Sequence, residues 1–214
     1  MPVFKTFRNY HPKEITEDLI RRYLVYCAEV QDLSEFTINS RMNAIKFYYE
    51  QVLHYHRMFF DIPRPKKPKT LPKVLSVEEV RKIINLTTNL KHQMILKCVY
   101  GMGLRVSEVI NLKIEDIDSD VMLVHIKEAK GKKDRIVVLP ESLLLHLRDY
   151  FKQYRPQNYL FENKFGSKMS DRTVQAIFKK GLLLGGSRKN VGVHSLRHSY
   201  ATHLLENGTD VTLI

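Results

Sequence analysis

Residues 193–208 read VHSLRHSYATHLLENG, and the way this stretch folds decides much of what the rest can be. Its pattern predicts a helix over Ser195–Glu206, closed by Gly208 just past the end, where a residue free to take a left-handed conformation commonly stops a helix. His194 and Arg197 are three positions apart, so such a helix sets an imidazole and a guanidinium side by side at its N-terminal end. His198 and His203 sit among Tyr200, Ala201 and Leu204 and are read as packed or capping side chains. A zinc site from His194, His198 and His203 has helical spacing in part but lacks the acidic partner of an HExxH motif.

Upstream, residues 101–112 read GMGLRVSEVINL. The glycine break predicts a new helix over Arg105–Leu112 that buries Val106, Val109, Ile110 and Leu112 and leaves Arg105 at its N-terminus. An anion there would meet a guanidinium fork and the positive end of a helix dipole, although pairing with Glu108 would also account for the arginine. Val121–Lys127 and Arg135–Leu139 are short runs of β type, joined by EAKGKKD as a hairpin turning near Gly131. Lys130, Lys132, Lys133 and Arg135 crowd its tip, either as a solvated turn or as a phosphate contact. Helices are expected over Ser76–Leu86 with a Ser76/Glu79 capping box, Lys91–Tyr100, Glu141–Tyr154 and Asp171–Leu184. The predicted architecture is mainly α, with one small antiparallel sheet.

The stretch IPRPKKPKTLPKV at 62–74 holds four prolines among Arg64, Lys66, Lys67, Lys69 and Lys73, with no acidic residue. Prolines fix φ and bias their predecessors toward extended backbone, which predicts a semi-rigid linker. It is either a solvated connector or a basic strap along phosphates. Before it, Thr16 caps a helix carrying Leu19, Ile20, Tyr23, Leu24, Cys27 and Ala28 at helical spacing. A second helix is expected from Ser34 to about His54, with Ile38, Met42, Ile45, Tyr49 and Val52 inward and Arg41, Lys46 and Arg57 outward. Such a hairpin buries both stripes poorly alone, and Val3–Tyr10 is read as the remnant of a third helix.

The chain has 214 residues, a net charge of +12 and a pI near 9.6, which favours a nucleic acid or an anionic surface as partner. Residues 1–61 are neutral overall, so the excess lies in the linker and in residues 75–214. With 43% hydrophobic and 27% charged residues the chain can build cores and is not disordered throughout. No apolar run approaches the ~20 residues of a membrane span and no signal peptide is recognisable, so a cytoplasmic location is expected. Cys27 and Cys98 lie singly in apolar segments and are read as buried spectator thiols.

GMGLRVSE with Arg105, AKGKKDR with Lys130, and HSLRHSYATHLLENGTD with His194 and Arg197, in that order behind a Pro/Lys linker, resemble the signature of the tyrosine recombinase (phage integrase) family. The resemblance covers nearly the whole chain. It implies an all-helical, four-helix-like (SAM-like) core-binding domain at 1–61, the linker at 62–74 and an α+β DNA breaking-rejoining domain at 75–214, together clamping duplex DNA. It implies Arg105 and Arg197 on the scissile phosphate, Lys130 as proton donor to the 5′-oxygen and His194 assisting phosphate binding and proton transfer. A tyrosine would form a 3′-phosphotyrosyl bond, with no cofactor and no metal. Lys66, Lys67, Lys69, Lys132, Lys133 and Arg135 are expected to contact DNA, and subunits to associate on paired sites.

The family's nucleophile lies some tens of residues beyond its HxxR motif, whereas this sequence stops at Ile214, and Tyr200 follows Arg197 too closely to replace it. The expectation is therefore a recombinase truncated at both ends, with a non-catalytic DNA-binding fragment as the alternative. An RNA-binding protein is supported by charge alone.

Overall fold

The fold is that of a computed structural model, which describes residues 14–54, 73–129 and 133–208. The chain divides into two compact units, Met1–Thr70 and Leu71–Ile214.

In the first unit α1 (Glu17–Glu29) starts where the Thr16 side chain accepts from the Leu19 N–H at 3.4 Å, with Glu17 and Asp18 in the first turn. Ile20, Leu24 and Cys27 are its buried residues. Ser34 caps α2 (Glu35–Phe47) in the same way, and Ile38 and Met42 face the core from it. α2 continues as a π-helical turn, Tyr48–Val52. Two expectations are corrected here. Val52 is 52% exposed, because the wider turn shifts the helical register just after Tyr49, which stays buried. Arg41 does not face outward: it reaches back across the hairpin to Tyr23 Oη, Cys27 Sγ and Gln31 Oε1. Cys27 is thereby an acceptor as well as a buried thiol. The expected remnant at Val3–Tyr10, Arg57 and most of the linker lie outside the described residues.

The second unit begins with α3 (Val77–Asn85), opened by the Ser76/Glu79 capping box, and α4 (Leu90–Gly101), capped by Asn89. α4 runs through Gly101, one residue past the expected end. α5 (Val106–Asn111) follows, with Arg105 as its N-cap residue and Val106, Val109 and Ile110 buried. A 3-10 turn at Ile114–Asp116 leads into β1 (Ile117–Asp118), a strand that the sequence pattern does not reveal. β2 (Leu123–Ala129) pairs antiparallel with β1 and with β3 (Lys133–Val138), giving the order β1-β2-β3.

α6 (Glu141–Tyr154) and α7 (Asp171–Leu184) match their expected bounds, and α8 (His194–Glu206) begins one residue early. Gly208, at φ +83°, follows the C-cap residue Asn207. α3, α4, α5, α6 and α7 surround one apolar core with Val124 and Ile126 of β2 and Leu196 of α8. Its fully enclosed side chains include Tyr150, Phe161 and Phe178, and the Tyr150 hydroxyl donates to the Leu160 carbonyl at 2.9 Å. α3 and α7 approach closely at Gly181, where a Cβ would stand 3.0 Å from Ile83 Cγ2 and 3.1 Å from the Ile83 carbonyl. No helix among the described residues is long and apolar enough to cross a membrane.

Candidate active site

Three of the residues singled out in the sequence meet around a fourth, Glu108, which the sequence offers only as a local partner of Arg105. Glu108, on α5, has a side chain only 3% exposed. Its Oε2 accepts the Arg105 backbone N–H at 2.8 Å, satisfying an otherwise orphaned donor at the helix start, and its Oε1 accepts from Arg105 Nη1 at 2.6 Å. From β3, Arg135 Nη2 donates to the same Oε2 at 2.8 Å. From α8, Arg197 Nη1 stands 3.9 Å from Oε2. Burial would raise the Glu108 carboxyl. The hydrogen bonds from Arg135 and from the N–H and guanidinium of Arg105, with the nearby charge of Arg135, outweigh it and hold the group below the ordinary glutamate range.

Three cations on one carboxylate leave the cluster positive by two charges. The side chains of Arg105, Arg135 and Arg197 keep about 32%, 30% and 27% of their surface exposed. Burial first, and then repulsion from Arg105 and Arg135, lowers the pKa of Arg197, which stays a cation because arginine starts so high. Arg197 Nη1 also donates to the Gly103 carbonyl. That residue sits at φ +58°, and a Cβ on it would fall 2.5 Å from Cδ1 of Tyr200. Tyr200 in turn meets Tyr100 edge-on at 6.4 Å, and the Tyr100 hydroxyl is 2.9 Å from His203 Nδ1. The backbone before Arg105 is thus held by the helix that carries Arg197, so the two arginines are placed relative to each other by packing on both sides of the Gly101–Gly103 break.

His194 is the first residue of α8 and is exposed. His203 is packed, as expected, at 8% exposure, but His198 is exposed and its expected packing is corrected: the helix turns it to the side opposite Leu196 and Ser199. Tyr200 packs on Gly103 and Tyr100. Among the described residues no group of three His, Cys, Asp or Glu side chains is placed to hold a metal ion. Lys66, Lys67, Lys69, Lys130 and Lys132 lie outside the described residues. Lys133 opens β3. Glu108 as a shared carboxylate was missed because the sequence treats it only as a local partner of Arg105. The signal that could have found it is the acidic residue three positions into a helix whose cap is itself an arginine.

A model of the phage integrase family matches residues 73–214. Tyrosine recombinase XerD of Oceanobacillus iheyensis is 32% identical over 224 aligned residues, covering 95% of this chain and 75% of that protein. Tyrosine recombinase XerA of Pyrococcus horikoshii is 42% identical over 158 residues, covering 72% of this chain and 54% of that protein, so the chain spans about half the length of this relative. In structure, a XerH site-specific recombinase bound to its palindromic difH substrate in a post-cleavage complex superposes with a TM-score of 0.77 at 22% identity, covering 94% of this chain and 64% of that one. That likeness shows the fold. With the family model matching most of the second unit and the XerD relative matching along nearly the whole length, this chain belongs to the phage integrase family, that of the tyrosine recombinases.

Proposed function

We propose that the protein is a site-specific recombinase that cuts and rejoins duplex DNA through a 3′-phosphotyrosyl intermediate. The observation that carries the reading is the cluster of Arg105, Arg135 and Arg197 on the single carboxylate of Glu108, which retains a surplus of positive charge. Phosphodiester exchange gathers negative charge on the nonbridging oxygens in its transition state. Preorganised guanidiniums stabilise that charge without any metal and cost no reorganisation when it appears.

In this reading Arg105 and Arg197 hold the scissile phosphate. A tyrosine hydroxyl attacks phosphorus, the bond to the 5′-oxygen breaks, and Lys130 supplies the proton that makes the leaving group a 5′-hydroxyl. His194, at the N-terminal end of α8 beside Arg197, assists phosphate binding and proton transfer. One phosphoester replaces another, so the 5′-hydroxyl of a second strand can reverse the step and rejoin DNA with no input of ATP. Residues 1–61 would form the core-binding domain and 75–214 the catalytic domain. Lys66, Lys67 and Lys69 of the 62–74 linker, with Lys132 and Lys133, would contribute phosphate contacts that position the duplex without reading its sequence. The partner is duplex DNA in the cytoplasm, engaged by subunits paired on two sites.

The test is a duplex nicked next to the scissile phosphate, incubated with the full-length gene product and resolved under denaturing conditions. A covalent protein–DNA adduct that Arg197→Ala lowers by about 10²–10³-fold is the expected result. Absence of an adduct, or an adduct indifferent to Arg197→Ala, overturns the reading.

A further inference from the structure

We propose that Arg135 is a positioning residue that keeps Arg197 free for the phosphate by occupying Glu108, and that it does not itself contact DNA. The inference rests on the recombinase reading above, and it reassigns a side chain that the sequence grouped with the DNA-contacting residues of the hairpin.

The register of β3 is the first observation. Arg135 lies opposite Ile126, which is 2% exposed, and its neighbours on the strand, Asp134 and Ile136, are exposed while Val137 is not. Arginine therefore points toward the core side of the sheet, while Ile136 and Val138 are left 57% and 70% exposed on the other. A half-buried strand ordinarily does the reverse, and a slip of one residue would bury the two aliphatic side chains and release the guanidinium to solvent. A strand that breaks the local rule in this way is the signature of a functional constraint. Its side-chain Nε is enclosed without a hydrogen-bond partner and Nη2 ends on Glu108 Oε2 at 2.8 Å, so that, although about 30% of the side chain stays exposed, this end of the guanidinium is held on the carboxylate.

The division of labour on the carboxylate is the second. Oε1 takes the Arg105 guanidinium, and Oε2 takes the Arg105 N–H and Arg135. With both oxygens occupied, Arg197 stays 3.9 Å away and hydrogen-bonds the Gly103 carbonyl instead. Without Arg135, Oε2 keeps only a backbone donor. Arg197 would then close the gap and pair with Glu108, losing the surface it presents to an incoming phosphate. A charged partner taken this way is a stronger competitor than a neutral one.

Two measurements test this. In the first, binding of the Arg197→Ala chain and of its Arg197→Ala/Arg135→Gln variant to a nonspecific duplex is followed by fluorescence anisotropy across salt concentrations, so that only a contact made by Arg135 itself can change the slope. Unchanged slope and affinity are expected, whereas a slope smaller by about one, the signature of one lost phosphate contact, overturns the proposal. In the second, single-turnover adduct formation is measured with the full-length gene product. Arg135→Gln is expected to slow it about 10–100-fold, Arg135→Lys to recover it to within about threefold, and Arg135→Gln with Glu108→Gln to be no slower than the slower single variant. Multiplying effects in the double variant, or no recovery with lysine, overturn it. A wild-type protein that forms no adduct would defeat the recombinase reading instead, and the salt slope would still decide whether Arg135 touches DNA.

Discussion

Arginine turns inward in both units of this molecule, and the two arrangements differ in what they leave over. In the first unit Arg41 donates to Tyr23 Oη at 3.0 Å, Cys27 Sγ at 3.2 Å and Gln31 Oε1 at 3.0 Å. Its acceptors are neutral and come from α1 and the turn after it, so one cation ties the helical hairpin together, and all three contacts converge on its Nη1. In the second unit three arginines share the one carboxylate of Glu108, and donors and charge both exceed what the protein supplies. The same side chain is a brace where a single cation reaches neutral groups of its own hairpin and a binding group where several cations crowd one carboxylate. Burying surplus charge is costly, and it is tolerated where an anion arrives to complete it.

The contrast breaks most readily at Gly103. Gly103→Ala must place a Cβ 2.5 Å from the Tyr200 ring at φ +58°, so either the ring or the backbone before Arg105 has to move. A loss of about 2–4 kcal/mol in thermal or urea unfolding is expected. Adduct formation should fall beyond what that loss explains, since Arg105 and Arg197 lose their common support. A variant of unchanged stability and rate would separate the arginine pair from this packing.

Glu108→Gln comes next, at about 1–3 kcal/mol near neutral pH, because three guanidiniums lose their counter-charge and only one of the two acceptor positions survives in the amide, whose NH2 cannot accept. Its carboxyl is held below the ordinary range, so the stability it contributes is complete above the unfolded value of about 4.3 and is lost as pH falls through the lower, folded value. Urea midpoints measured between pH 7 and pH 3 should therefore drop further for the wild type than for Glu108→Gln, the two converging in acid. Parallel curves would mean that the carboxylate does little for the fold.

The smallest effect is expected at the brace. Arg41→Gln should lower hydrogen-exchange protection in α1 and α2 and leave the second unit unchanged, with no change in the salt slope of DNA binding. A slope lowered by about one would make Arg41 a phosphate contact and dissolve the distinction between the two arrangements.

What could be read from the sequence follows the range of the interactions involved. α6 and α7 fall where expected, and α1 and α3 announce themselves through caps made within three or four residues, as with Ser76 and Glu79. β1 has two residues and exists through its pairing with β2, so nothing local marks it. The π-helical turn that exposes Val52 and the acceptors that draw Arg41 inward likewise depend on the tertiary fold. At the site, Arg105, His194 and Arg197 were visible as residue types at helix starts. Their convergence on Glu108 was not, because Arg135 is 27 positions away and Arg197 still further. Arg135 was half legible: the alternation along β3 puts it on the side of Val137, away from Ile136 and Val138, a face that is easily overlooked in a run of lysines.

Phosphate capture requires an anion site between Arg105 and Arg197, and diffraction from crystals of the 214-residue chain soaked in tungstate tests it without a target sequence. The predicted result is an anomalous peak within hydrogen-bonding distance of both guanidiniums, lost in Arg197→Ala. Tungstate bound only elsewhere on the surface, or a peak that survives the loss of Arg197, would contradict it.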